Sequence, residues 1–200
     1  MFVETSAGII RENITFITMQ NITKTLMVWA VVVALVLLIP LVLTIRDGGV
    51  EGVGWNWTFF DFVFMGTLLF GAGLVYELVA RKMSNGAYRA AVGLAVVTSV
   101  LLVWINSAVG IIGDGDLDSP NGMYLGVLAV GLISALIARF RPRGMARTLF
   151  AMAIAQLSVP VIALIFWNSD FAPGVAEVFA LNAFFALLFV GSALLFRRAA

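Results

Sequence analysis

The stretch GDGDLDSPNGMY, residues 113–124, sets Asp114, Asp116 and Asp118 at alternate positions. Carboxylates so spaced could ligate a hard cation such as calcium. An EF-hand loop wants ligands at its first, third and fifth places, Gly at the sixth and Glu at the twelfth. The first three places fit. Ser119 takes the Gly place and Leu125 the Glu place, so the ladder reads as no more than a weak surface cation site, and no other metal site is expected.

The remaining candidates are polar side chains inside apolar runs, where hydrocarbon makes them costly and therefore suspect. Asp61 follows WNWTFF, and Thr58-x-x-Asp61 has capping-box spacing with a carboxylate near a helix N-terminus. The competing reading of Asp61 is a cation or proton site. Glu177 opens the last apolar run just after Pro173 and Gly174 and has the same structural excuse. Glu77 stands four residues before Arg81, the spacing of an ion pair at the membrane's inner edge. Asn106, Gln156 and Asn182 are neutral amides within runs, suited to bridging helices, a role expected above all for Gln156. Asp61, Asn106, Glu177 and Asn182 also share a depth, the outer half of their runs. If their helices converge, these four would line an outward-facing polar vestibule.

Other chemistry is short of parts. With no Cys and no His, disulfides, thiolate or imidazole metal sites, and Cys- or His-based catalysis are excluded. Only Lys24 and Lys82 exist, both at the edges of apolar runs, so no lysine within a run could hold retinal. There is no P-loop and no glycine-rich nucleotide fingerprint. Neither an enzyme nor a cofactor is expected, and no nucleic-acid partner.

The elements that must position these residues are membrane helices. Hydrophobic residues make up 62% of the 200-residue chain and charged residues 12%, against roughly half and about a quarter in a soluble domain. A span needs about 20 mostly apolar residues. The runs predict six: about Leu26–Ile45, Trp57–Ala80, Ala90–Gly113, Gly122–Phe140, Thr148–Trp167 and Val175–Phe196. Of the twelve basic residues, all but Arg46 fall on one side of this topology, which the positive-inside rule makes cytoplasmic, together with both termini. The opposite loops carry Asp47, Glu51, the aspartate ladder and Asp170, and Trp55, Trp57 and Trp167 lie at that boundary. Residues 1–25 read as a cytoplasmic leader, either disordered or an interfacial helix, and 26–200 as one membrane domain. Gly122-x-x-x-Gly126 reads as a packing motif, for a neighbouring helix of the same chain in preference to a dimer seam.

One internal repeat stands out. GLVYELVARKMSNGAYR (Gly73–Arg89) aligns without a gap on GLISALIARFRPRGMAR (Gly131–Arg147), at a constant offset of 58. The shared pattern predicts that spans 2–3 and 4–5 form a parallel duplicated hairpin. Convergence is the competing account, since any inner turn favours Arg and Gly. The fold class expected is thus an all-α integral membrane protein, a six-transmembrane-helix bundle.

The segments WNWTFFDFVFMGTLLFGAGLVYELVARK, NGAYRAAVGLAVV, LVWINSAVGIIG and LIARFRPRGMARTLF resemble an uncharacterised family of small multi-pass bacterial inner-membrane proteins. The resemblance covers about Pro40 to Ala163. It implies a location in the bacterial cytoplasmic (inner) membrane and supplies no activity, substrate or binding residue. The family's corresponding loops are acidic without a regular aspartate ladder, so this chain departs from the pattern there. Two functions are expected. The first is a non-enzymatic scaffold, accessory subunit or membrane-stress component acting through helix packing, with lipid and a second copy or another membrane protein as partners. The alternative is a small transporter or channel for protons, cations or a minor solute, using the polar vestibule.

Overall fold

The computed structural model describes residues 2–48, 55–81, 83–112, 120–166, 171 and 174–200; for 2–21 and Val109 it describes the backbone alone. The described residues form α-helices and one short 3-10 turn, with no strand among them. The helices are α1 (Phe2–Arg46), α2 (Phe59–Ala80), α3 (Gly86–Val109), α4 (Met123–Ile137), α5 (Pro142–Phe166) and α6 (Val175–Arg198), with the 3-10 turn Pro120–Gly122 leading into α4. Among the described residues, six segments are long and apolar enough to cross a membrane: Ile22–Arg46, Phe59–Ala80, Gly86–Ala108, Pro120–Ile137, Pro142–Phe166 and Val175–Arg198.

Helix ends run past the apolar stretches because caps and hydropathy are different signals. Asn85 accepts a hydrogen bond from the Ala87 N–H at 2.8 Å and starts α3 ahead of Arg89. Pro142 starts α5 with its ring's fixed φ and no N–H to satisfy, ahead of Arg143 and Arg147. Residues 2–21, which the sequence reads as a leader, are helical and continuous with the first span. At a rise of about 1.5 Å per residue, the 45 residues of α1 reach well beyond a bilayer of about 45 Å including headgroups. Only its apolar part, from Ile22, is suited to crossing.

The chain divides into two compact units, Met1–Leu74 and Val75–Ala200, with the boundary inside α2. In the first, α1 and α2 form an antiparallel pair tied at their loop ends. Asp47 accepts from the Trp55 N–H at 2.9 Å and Thr44 from the Trp57 N–H at 3.3 Å. Farther along, Gly73 lies directly against the Trp29 ring, where a Cβ would overlap ring carbons.

In the second unit α6 packs between α3 and α5, and α4 packs against α5 and reaches α6 through Tyr124. Small residues let the backbones approach. Ser192 on α6 donates to the Ala91 carbonyl of α3 at 2.8 Å, and both residues are fully buried. Gly131 on α4 gives room to the Met152 thioether of α5. Gly126, by contrast, has no atom of the other described residues within 4 Å of where its Cβ would stand. Large side chains such as Ile137, 78% exposed, and Leu187, 69% exposed, point outward. That is the surface a lipid solvent requires, and one that water would penalise.

Candidate functional site

The most enclosed polar groups lie between α4, α5 and α6. Gln156, Asn182 and Tyr124 come from the three helices, and at most 1% of any of them is exposed. Gln156 Nε2 donates to Asn182 Oδ1 at 2.9 Å. The Tyr124 hydroxyl donates to the same oxygen at 3.1 Å and accepts from Asn182 Nδ2 at 3.0 Å. Asn182 Nδ2 also donates to the Val178 carbonyl one turn back, at 2.8 Å, which holds its rotamer. Asn182 is the hub. A buried amide must find partners because no water replaces them.

A second cluster closes the α3–α4 connection. Gly110, at φ 64°, ends α3 in the left-handed region that glycine tolerates, its N–H bonded to the Asn106 carbonyl at 3.1 Å. The chain that follows is held by Asn121, whose Oδ1 accepts from Ile111 N and Ile112 N, each at 3.0 Å. Asn121 Nδ2 donates to the Ile112 carbonyl at 2.7 Å. Asn106 Nδ2 donates to the Asn121 carbonyl at 3.3 Å. Two buried oxygens, Asn106 Oδ1 and Gln156 Oε1, have no hydrogen-bond partner among the described residues.

Of the four residues proposed to line a vestibule, Asn106 and Asn182 are buried and bonded in these two clusters. Asp61 belongs to the other unit, where its Oδ2 accepts from the Thr58 N–H at 2.7 Å and the Thr58 hydroxyl at 2.8 Å. That is a carboxylate reaching back to its helix start. Glu177 is exposed in the first turn of α6, its carboxylate folded over Gly174. Glu77 pairs with Arg81 at 2.7 Å across one turn. Asp114, Asp116 and Asp118 lie outside the described residues. Among the described residues, no three His, Cys, Asp or Glu side chains stand together as metal ligands.

No family model, curated protein or solved structure matches this chain. Its six apolar helices fit a multi-pass membrane protein.

Tyr124 and Asn121 are the participants that reading the chain as a sequence misses. Both follow the turn formers Ser119 and Pro120, so they pass as loop and helix start. The available signal is the tyrosine itself, whose hydroxyl needs a partner once it enters an apolar run.

Proposed function

We propose that this is a non-enzymatic membrane component, a scaffold, accessory subunit or membrane-stress protein of a bacterial cytoplasmic membrane. It works through helix packing, with both termini cytoplasmic. One observation carries the reading: Gln156, Asn182 and Tyr124 bond side chain to side chain across three helices with almost no exposed surface. Amides so engaged hold helices in register and stand in no open path. The basic residues gathered on one side support the orientation. A proteoliposome assay tests the reading. Proton and alkali-cation flux should not exceed that of empty liposomes. Flux that Asn182→Leu abolishes would replace the scaffold reading with an ion path.

The transport alternative keeps one specific support. Asn106 Oδ1 and Gln156 Oε1 are buried acceptors without donors among the described residues, and a solute bearing N–H or O–H groups could satisfy them. Small-solute uptake lost in Gln156→Met would favour it; uptake that is absent or unchanged would leave the scaffold.

Because the chain has no cysteine, single substitutions can report the topology. Ser84→Cys should react with an impermeant maleimide only once the cytoplasmic side is opened, and Asp116→Cys in intact spheroplasts. The reverse pattern would overturn the orientation.

A further inference from the structure

Tyr88, fully buried near the start of α3, joins three separate pieces of chain at one end of the second unit. Its hydroxyl donates to the Phe140 carbonyl in the α4–α5 turn at 2.8 Å. Its ring meets Phe196 of α6 edge-on, with centroids 5.2 Å apart. Each piece carries arginine beside the contact: Arg89 follows Tyr88, Arg139 and Arg141 flank Phe140, and Arg197 and Arg198 follow Phe196.

These five guanidinium groups are exposed, and no ion pair holds any of them among the described residues. Glu77, the acidic side chain in the last turn of α2, is taken by Arg81. Arg143 and Arg147 extend the same charge along the first turns of α5. Positive-inside topology accounts for basic loops in general. It does not require three of them to be pinned to one tyrosine.

Beside the turn, α4 presents an apolar strip, with Ile133 57%, Leu136 57% and Ile137 78% exposed. An uncompensated cluster of planar, permanently charged forks suits a phosphate, which arginine can bind through two bonds at once. A strip of exposed aliphatic side chains suits an acyl chain. The geometry points to an anionic-phospholipid site, with the headgroup phosphate at Arg139 and Arg141, supported by Arg89 and Arg197, and a chain along Ile137 and Ile133. Free phosphate would use the arginines and leave the strip unused.

Native mass spectrometry of the full chain in nonionic detergent tests this. Phosphatidylglycerol and phosphatidylcholine with matched acyl chains are supplied together, and inorganic phosphate in a parallel arm. The wild type should retain phosphatidylglycerol in preference. Arg139→Gln with Arg141→Gln should lower the preference by about fivefold per arginine, the worth of one basic side chain near an anionic surface. Helix content by circular dichroism guards against misfolding. Raising the salt concentration on the wild type, which needs no substitution, should erode the preference as well. Equal retention of the two lipids by the wild type, or a preference that survives both substitutions, would overturn the site. Displacement of phosphatidylglycerol by equimolar inorganic phosphate would overturn its assignment to lipid.

Discussion

Gln156 on α5 donates to Asn182 on α6 at 2.9 Å, and neither side chain has any accessible surface. The two residues are not equivalent. Asn182 uses its oxygen and its nitrogen, toward Gln156, Tyr124 and the Val178 carbonyl. Gln156 uses its nitrogen alone, and its oxygen is unpaired among the described residues.

Asn182→Leu should therefore cost more than Gln156→Met. Losing Asn182 removes links to two helices and strands the Gln156 donor, for about 2–3 kcal/mol, given interhelical bonds of about 0.6 kcal/mol and a penalty of about 1–3 kcal/mol for an orphaned buried group. Gln156→Met loses one bond but also removes an unpaired oxygen, so its cost should stay below about 1 kcal/mol. Reversible unfolding in mixed micelles measures both. The opposite order would remove Asn182 from the centre of the cluster.

Gly73 and Gly131 occupy the same place in the repeated pattern, yet Gly→Ala should affect them differently. A Cβ at Gly73 meets the rigid Trp29 ring, whereas one at Gly131 meets the end of the flexible Met152 side chain. Ala gains about 1 kcal/mol over Gly in a helix, and overpacking costs about 1–3 kcal/mol where the neighbour cannot yield. Gly73→Ala should destabilise, and Gly131→Ala should be close to neutral. Gly126→Ala, facing open space, calibrates the propensity gain. Thermal unfolding in detergent reports all three, and equal losses at Gly73 and Gly131 would contradict the packing described.

Asn121→Ala should loosen the α3–α4 connection more than an ordinary loop substitution would. It strips partners from Ile111 N, Ile112 N and the Ile112 carbonyl, and Ile111 and Ile112 are themselves buried. Losses of about 1–3 kcal/mol are expected from orphaned groups, together with faster hydrogen exchange at residues 110–112. Unchanged exchange there would mean that Asn121 does not hold the turn.

Asp47 supplies a pH dependence. Its carboxylate is held below the ordinary range by the hydrogen bond from Arg46, then by the Trp55 N–H and the Arg46 charge. A lowered folded-state pKa means that this stabilisation is present above the unfolded value and is lost as pH falls through the folded one. In 5-fluorotryptophan-labelled protein, the Trp55 resonance should shift only below the usual carboxylate range. In Arg46→Gln the transition should move upward in pH. A transition at the same pH in both would detach Asp47 from Arg46.

The positions of the apolar helices were legible in the sequence because hydropathy is a local sum, and a bilayer demands long runs of it. The polar residues Asn106, Gln156 and Asn182 were equally visible, since an amide in an apolar run stands out by type alone. What these amides bond to was not visible. Tyr124 and Asn182 lie on different helices, and which helix faces meet depends on side-chain shape; α6 lies between α3 and α5 through contacts such as Ser192 to Ala91. Hydropathy carries no such information. The repeat shows the same limit, because Gly73 and Gly131 match in sequence while the tertiary structure sets one against an indole and the other against a thioether. Arginine content, too, could be read from the chain. Their gathering on one side could be read as well, but only packing around Tyr88 decided that three of their segments meet, because a hydrogen bond to Phe140 and a ring contact with Phe196 join residues far apart in sequence.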